Sequence, residues 1–539
     1  MRHSILSGAA MIGIASIISR LLGIYRERLF STTFGAGMEM DAYFTAFRIP
    51  DTIFNLIVVG ALSSAFIPVF TDYLVKKNEK RAFDLANSLL NILLIGLVVI
   101  GSLIFFLVPY IIPLVGPGMN EEMRALTLSL TRIMLIAPIF FCISNIASGI
   151  LNSYERFFVF SLTPIMYNLG IITGTLLLVP KFGVYGVAIG VVAGSIMHMG
   201  IQIPSVIKLG YRYKTIINFA NKGVKKALIL MAPRTLGLAV YQINLFVSTA
   251  IATTVSVGAV AIYNYASNLQ SLPYSVIGIS LATAAFPVLA TSASMQNSEE
   301  FVSTISRTLR QILFFVIPTS ILMLLLRAQI VRVILGAGKF DWEDTILTAS
   351  TLGFFVLSLF AQSLIPLLAK AFYAIQNTVI PVTVSIISMG VNIVFALWFA
   401  RFMGVAGIAL AFSIASFLNM ILLLAILHIK LGGLEDSKII KSCFKMVLTS
   451  AVMAFVVQGI TFDRGGTLIN FLPGIKTLIA NAVDMRTFLG VFTQAAVSIV
   501  VGFVIYFVVG WLLKIEEIDI VKKGLMKLRI FPARAGKGN

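Results

Sequence analysis

Charged residues inside long apolar stretches are the part of this sequence most suited to chemistry. The first apolar stretch contains Arg20, Arg26 and Glu27, and the second contains Asp41 and Arg48. A charge at the centre of a lipid bilayer costs about 2.5 kcal/mol or more, so such groups normally face a bundle interior or an aqueous cavity. We therefore predict that these side chains line a cavity rather than contact lipid.

The spacing of these residues indicates one charged helix face. Arg20 and Glu27 are seven residues apart, which places them on nearly the same side of a helix, with Ser19 beside them. Guanidinium groups bind phosphate through paired hydrogen bonds, so a cavity containing Arg20 and Arg26 suits an anionic ligand. Arg28, at the end of the stretch, is expected to reach the membrane interface instead.

The composition indicates the elements that must position these residues. The chain has 539 residues, of which 58% are hydrophobic and only 12% charged, and its mean hydropathy is +0.98. Soluble domains contain about a quarter charged residues. Apolar runs such as 89–115 and 378–400 are long enough to cross about 30 Å of hydrocarbon as a helix. Because apolar and polar residues do not alternate, an outer-membrane barrel is disfavoured.

The hydropathy pattern predicts an all-α polytopic membrane protein with about fourteen transmembrane helices. The segments run approximately over 4–34, 41–73, 83–113, 122–151, 160–180, 184–208, 224–254, 257–290, 302–335, 345–374, 378–401, 404–430, 437–461 and 488–514. Both termini are expected in the cytoplasm, because basic and non-basic loops alternate along the chain.

The formal charge of +19 is distributed as in membrane proteins rather than as in nucleic-acid-binding proteins. The basic loops are 76–81, 208–226 and 430–441, whereas 35–41, 116–122 and 341–344 are neutral or acidic. No basic groove interleaved with aromatic residues is present, so nucleic acid is not an expected partner. The basic tail 516–539 either lies on an anionic leaflet as an amphipathic helix or extends into solvent.

An internal repeat at an offset of about 220 residues predicts two parallel lobes. The matching pairs are Lys181–Gly190 with Arg401–Ala411, Ala65–Val69 with Ala285–Val288, and Tyr154–Arg156 with Tyr373–Asn377. The offset spans six segments, so both halves have the same orientation, as in transporters with a central site. We predict an N-lobe at 1–218, a C-lobe at 219–431, a terminal helix pair at 432–515 and a tail at 516–539.

Enzyme chemistry has little support in this sequence. The three histidines are widely separated, and no zinc-protease, phosphate-loop or nucleophile-elbow motif is present. A membrane-embedded glycosyl or acyl transferase would need a catalytic acid, and the candidates Asp41 and Asp51 lack supporting partners. We therefore expect a transporter without a cofactor or a metal.

Several motifs resemble the MurJ (MviN) lipid II flippases, a branch of the multidrug/oligosaccharidyl-lipid/polysaccharide exporter superfamily. These motifs are Ser19-Arg-Leu-Leu-Gly-Ile-Tyr-Arg-Glu27, Phe34–Gly37, Asp41–Phe44, Gly60–Pro68, Gly338–Phe340 and Phe372–Thr378. The resemblance covers essentially the whole chain, including two helices beyond a twelve-helix core.

The resemblance implies that the two lobes alternate in access and carry an undecaprenyl-pyrophosphate-linked peptidoglycan precursor across the bacterial cytoplasmic membrane. It implies a monomer whose partners are this lipid-linked oligosaccharide and membrane lipids, with helices thirteen and fourteen forming a groove for the lipid tail. The family's helix-one serine and two arginines map onto Ser19, Arg20 and Arg26, and its helix-two acid maps onto Asp41. Glu27 stands where the family usually has aspartate.

Other family positions differ in this chain. Phe54 and Val59 replace an arginine and a glutamate of helix two, and Ser267-Asn268 replaces an Asp-Arg pair of helix eight. Arg48 or Arg234 could supply the missing positive charge, or both could be interfacial anchors.

These differences leave two alternatives open for the cargo: another polyprenyl-linked glycan, or the cationic drugs of a multidrug exporter. The arginines argue against the cationic drugs. Coupling is open too, since Glu27, Asp41 or Asp51 could carry protons.

Overall fold

The computed structural model describes residues 2–59, 66–461 and 487–519, and helices make up nearly all of this part. The helices are α1 (Arg2–Phe34), α2 (Met38–Phe54), α3 (Ile67–Val75), α4 (Glu79–Val115), α5 (Glu121–Met134), α6 (Ala137–Ser153), α7 (Phe157–Phe182), α8 (Tyr185–Gly200), α9 (Ile203–Lys208), α10 (Lys222–Thr253), α11 (Ala259–Pro273), α12 (Ser280–Ser294), α13 (Ser298–Leu325), α14 (Arg327–Ile334), α15 (Trp342–Leu357), α16 (Leu359–Ala374), α17 (Val379–Met403), α18 (Val405–Leu431), α19 (Asp436–Thr461) and α20 (Phe488–Leu512). Short π-helical turns at Asn55–Val59 and Tyr274–Ile279 extend α2 and α11.

The helix lengths confirm the all-α polytopic membrane architecture. Within residues 2–59, 66–461 and 487–519, ten helical stretches are long and apolar enough to cross a membrane, and the bent pair α15–α16 would make an eleventh. The first predicted segment is a single helix of 33 residues, and the seventh lies within α10. The predicted tail helix falls almost wholly in 520–539, outside the described residues.

The chain forms two compact units. The first contains residues 1–265 with 334–344 and 393–408, and the second contains 266–333, 345–392 and 409–539. The first unit therefore takes in short stretches from the second half of the sequence. The two six-helix lobes of the repeat remain a prediction about evolutionary organisation and motion.

Within the first unit, α7 and α8 pack through glycines. A Cβ atom added to Gly174 would lie 2.9 Å from the backbone nitrogen of Gly190 and from the carbonyl oxygen of Gly186. Such distances are shorter than real side-chain contacts, so only glycine permits this approach. Small residues at helix contacts are how membrane helices gain close backbone packing.

A second feature of the first unit is a contact among three loop regions, 32–41, 256–265 and 334–344, which we call the three-loop junction. Glycines with left-handed backbone lie in all three loops: Gly35 (φ +67°), Gly258 (φ +87°) and Gly338 (φ +61°). The backbone nitrogen of Lys339 donates to the carbonyl of Thr32 at 3.0 Å. Backbone thus meets backbone here, which is the circumstance that favours glycine.

Side chains complete the three-loop junction. The Ser31 hydroxyl donates to the Leu335 carbonyl at 2.9 Å, and the backbone nitrogen of Ala36 donates to Asp344 at 3.1 Å. Arg28 is half-buried, and its guanidinium donates to the Ile334 carbonyl at 3.4 Å, so it contacts protein here.

Asp41 links α2 to the start of α11. Its carboxylate accepts hydrogen bonds from the backbone nitrogens of Gly258 at 2.6 Å and Ala261 at 2.7 Å, and the residue is 1% exposed. The first amides of a helix have no partner within the helix, and a carboxylate there also suits the helix dipole. Asp41 therefore caps a helix distant from it in sequence.

In the second unit, an ion-pair cluster holds the turn that follows α20. Arg310 on α13 donates to Glu516 at 2.9 Å and to Glu517 at 2.6 Å. Ser442 on α19 donates to the other carboxylate oxygen of Glu517 at 2.9 Å. Tyr506 on α20 donates to the Phe314 carbonyl at 2.9 Å, so α13, α19 and α20 are held together by polar contacts as well as by apolar packing.

We predict that Gly174→Ala destabilises the protein by about 1–3 kcal/mol, because the added methyl group pushes α7 from α8. The matched control is Gly101→Ala on α4, where an added Cβ meets no atom within 4 Å. Thermal denaturation in detergent measures both. Equal midpoints for the two variants would contradict the tight α7–α8 contact.

We also predict that Asp41→Ala lowers stability by about 1–3 kcal/mol for each buried amide left unpaired. Asp72→Ala is the control, since Asp72 is exposed and pairs with Lys76 at the surface, where such pairs contribute about 0–1 kcal/mol. Hydrogen exchange at the start of α11 should rise in Asp41→Ala alone. Unchanged exchange there would show that the cap is unimportant.

Candidate functional site

The centre of the candidate site is an ion pair on α1. Arg26 Nη2 lies 2.7 Å from Glu27 Oε1, and the two side chains are 22% and 9% exposed. The Arg26 guanidinium also lies 5.8 Å from the centroid of the Phe30 ring. Adjacent helical residues point about 100° apart, so this pair forms only where the surrounding protein confines both groups.

Asn168 on α7 joins two of the predicted residues. Its side-chain oxygen accepts from Arg26 Nη1 at 3.2 Å. Its side-chain nitrogen lies 3.2 Å from the Ser19 carbonyl and 3.3 Å from the Ser19 hydroxyl. The structure therefore links Ser19 to the Arg26–Glu27 pair through an asparagine that the sequence analysis did not select. The only signal for it was an amide side chain in the apolar stretch 160–180.

This cluster retains hydrogen-bonding capacity. Arg26 Nε and Glu27 Oε2 are buried and have no hydrogen-bond partner within the described part of the chain. Arg20, one turn and a half before Arg26, is half-buried on the same helix. We name Ser19, Arg26, Glu27 and Asn168 the arginine cluster.

A second polar cluster surrounds Arg48 on α2. Arg48 Nη2 donates to the Asn264 side-chain oxygen at 2.6 Å, and Asn264 in turn donates to the Val260 carbonyl at 2.7 Å. Asp51 lies one turn from Arg48 and interacts with the side chain of Gln242 on α10. Asn264 and Gln242 were not predicted, and each is an amide inside an apolar helix.

Asp41 and Asn268 make their hydrogen bonds with other groups. Asp41 belongs to the three-loop junction, where two backbone amides occupy its carboxylate. Asn268 is exposed on the part of α11 that belongs to the second unit, and its carbonyl accepts from Ser271 at 2.8 Å. Arg234 is part of α10, but its side chain lies outside the described part of the structure.

An apolar contact occupies the helix-two position where the resemblance implied a cation. The Phe54 ring packs on Phe141 of α6, with ring centroids 5.1 Å apart. In residues 2–59, 66–461 and 487–519, no group of three histidine, cysteine or carboxylate side chains could hold a metal ion. The guanidinium groups of the arginine cluster and of Arg48 are donors that can bind an anionic group.

Comparison with known proteins places this chain in one family. The profile described as "Lipid II flippase MurJ" matches residues 30–474. A probable lipid II flippase MurJ of Buchnera aphidicola is 30% identical over 460 residues, covering 84% of this chain and 89% of the relative. A probable lipid II flippase MurJ of Vibrio cholerae is 31% identical over 440 residues, covering 79% and 83%.

Solved structures agree with this assignment. A lipid II flippase MurJ in an inward closed conformation superposes with a TM-score of 0.75 at 27% identity, covering 94% of this chain and 98% of that one. An inward-facing multidrug transporter of the MATE family has a TM-score of 0.68 at 16% identity, covering 80% and 99%, which shows a shared fold alone. With the profile matched over most of its length, the chain belongs to the lipid II flippase MurJ family, whose members are transporters rather than enzymes.

Proposed function

We propose that this chain translocates lipid II, a polyprenyl-diphosphate-linked peptidoglycan precursor, across the bacterial cytoplasmic membrane. The observation that carries the proposal is the arginine cluster: a guanidinium held in an apolar helix by Glu27 and Asn168. An ion pair inside a membrane bundle is expensive to maintain unless it serves a function. Together with family membership, this arrangement favours an anionic lipid as cargo.

The arginine cluster suggests how an anion would bind. Arg26 uses one terminal nitrogen for Glu27 and the other for Asn168. A diphosphate can replace these two acceptors with two of its own oxygens, because a guanidinium binds such groups in a paired geometry. The guanidinium is then never left unpaired in low dielectric, which would cost several kcal/mol.

Orientation follows from the charge of the loops. The basic loops and both termini are proposed to face the cytoplasm. The three-loop junction is built from the neutral and acidic loops, so it would close the outer face. It contains the Lys339–Thr32 backbone hydrogen bond and close glycine contacts, and the buried rings of Tyr265 and Phe340 also pack there. The polar contacts can be exchanged for water when the junction opens, which suits alternating access.

We further propose that residues 1–218 and 219–431 move as the two lobes of a single copy of the chain. Helices α19 and α20, within 432–515, would guide the lipid tail. Supporting this, Tyr506 fixes α20 to α13, and Ser442 of α19 donates to Glu517, which pairs with Arg310 of α13. Many side chains of both helices remain exposed and apolar, including Phe444 and Val504.

A different polyprenyl-linked glycan is the second candidate cargo. Phe54 and Ser267-Asn268 supply no cation where the family resemblance implied two. Arg48 is half-buried, held by Asn264, and lies on the same helix as Phe54. We propose that Arg48 and Arg20 supply positive charge for the cargo in addition to Arg26. Asp51 then neutralises Arg48 when the cargo is absent.

The cargo is tested in a bacterium depleted of its own lipid II flippase. Expression of this chain should restore growth, and mass spectrometry of the purified protein should detect a bound polyprenyl diphosphate carrying a peptidoglycan disaccharide. Failure to restore growth despite normal membrane expression, with a different glycan bound, would favour the second candidate.

We predict that Arg26→Ala abolishes this growth and weakens lipid II binding by about ten- to a hundredfold, the effect of losing hydrogen bonds to a charged group. Arg26→Lys should recover only part of the affinity, because an ammonium cannot reproduce the paired geometry.

The matched control is Arg81→Ala, at an exposed position near the start of α4. It should restore growth like the unmodified chain. If Arg26→Ala binds lipid II as tightly as Arg81→Ala does, the arginine cluster is not the binding site.

A further inference from the structure

The segment between α9 and α10 is laid along α4 by two buried asparagines. Asn87 donates to the Arg212 carbonyl at 3.0 Å. Asn91, one turn later, donates to the carbonyls of Lys214 and Ile216 at 2.9 and 3.0 Å. The segment 211–216 has no regular secondary structure, so these amides satisfy backbone groups that would otherwise need water. We call 211–216 the strap.

Two tyrosines of the strap return the same interaction. Tyr211 donates to the side-chain oxygen of Asn87 at 2.7 Å, and Tyr213 donates to that of Asn91 at 2.8 Å. Asn87 is fully buried and Asn91 is 6% exposed. The strap therefore has a fixed path over α4, and its remaining side chains have defined positions.

A cavity of about 470 Å³ lies beneath the strap. Its walls are apolar side chains of α4, α6 and α9, including Leu90, Leu94, Ile143 and Ile207. Its polar rim is formed by the strap residues Tyr211, Arg212 and Tyr213. Small-molecule sites have volumes of about 300–1,000 Å³, and the volume of this cavity lies in that range. Because its lining combines apolar walls with these polar residues, the cavity suits a molecule with an apolar body and a polar head.

The stretch 208–226, which contains the strap, is strongly positive. The cations are Lys208, Arg212, Lys214, Lys222, Lys225 and Lys226, all exposed. Among the residues that the structure describes, one carboxylate, Asp84, pairs with this group, at 3.7 Å from Lys214. Arg212 is among the residues that line the cavity.

Exposed apolar residues flank the rim. Ile207, Tyr213, Ile217 and Phe219 are between 49% and 63% exposed. Aromatic side chains beside lysines and arginines are typical of the membrane–water boundary. The strap thus has the composition of a segment lying at the headgroup level of the cytoplasmic leaflet.

We propose that the strap and its cavity bind an anionic glycerophospholipid of that leaflet. Arg212 receives the phosphate through paired hydrogen bonds, Lys208 and Lys214 select an anionic headgroup, and an acyl chain fills the space between α4, α6 and α9. None of these residues belongs to the arginine cluster. The site is therefore independent of the cargo, and it rests only on the proposed cytoplasmic orientation of the basic loops.

A bound lipid at this position has a structural consequence. Residues 217–221 connect the strap to α10. A lipid that holds the strap at the membrane interface therefore also fixes the start of that helix. The polar side chains of α10 include Gln242, which interacts with Asp51. Lipid composition would then influence the part of the first unit that contains Arg48.

The test uses the full chain in detergent, titrated with phosphatidylglycerol or phosphatidylcholine and measured by native mass spectrometry. We expect phosphatidylglycerol to bind about tenfold more tightly. Arg212→Gln should remove most of that preference, since it loses the paired, charged hydrogen bonds. Lys225→Gln, an exposed cation on α10 outside the cavity lining, is the matched control and should change affinity less than twofold.

A cavity-filling variant tests the acyl-chain position. Leu94→Trp should weaken both lipids while leaving the thermal midpoint within a few degrees, and Ile207→Trp, at a more exposed wall, repeats the test if Leu94→Trp fails to fold. Equal binding of the two lipids, or equal effects of Arg212→Gln and Lys225→Gln, would overturn the assigned site in favour of general surface attraction. Displacement of phosphatidylglycerol by lipid II in competition, unaffected by Arg26→Ala, would instead assign the cavity to the cargo.

Discussion

The cost of placing charge in hydrocarbon is the constraint on which this structure depends. Arg26 can lie in an apolar helix only because Glu27 neutralises its charge and the Asn168 side-chain oxygen accepts a hydrogen bond from its other terminal nitrogen. That requirement fixes α7 beside α1, since the asparagine must reach both Arg26 and Ser19. The close α7–α8 contact at Gly174 and Gly190 then holds α7 in place. Binding chemistry and helix packing are consequently inseparable in the first unit.

The three-loop junction joins distant parts of the first unit. The backbone nitrogen of Lys339 donates to the Thr32 carbonyl, and glycines at positions 35, 258 and 338 allow the backbones to approach closely. Asp41 accepts hydrogen bonds from two backbone amides at the start of α11. A residue that the family resemblance placed with the cargo thus joins α2 to α11. In the proposed transport cycle, these contacts would be lost when α2 moves away from α11.

The two polar clusters of the first unit differ in how charge is balanced. Arg26 is paired directly with a carboxylate, whereas Arg48 donates to a neutral amide and has Asp51 one turn away. A cation with a neutral partner loses less when an anion arrives, because no carboxylate has to be displaced.

The sequence by itself determined the helical membrane architecture, because apolar runs of about twenty residues have few alternatives in a bilayer. It also determined that Arg26 and Glu27 would be confined, since lipid excludes them, and that Ser19 would share their helix face. Tertiary structure alone decided their partners: Asn168 and Asn264 are more than one hundred residues distant from Arg26 and Arg48. It also placed two backbone amides at the start of α11 within hydrogen-bond distance of the Asp41 carboxylate, and it left Asn268 exposed in the second unit. Helical periodicity acts within one segment, whereas these contacts depend on how segments pack, which no local pattern encodes.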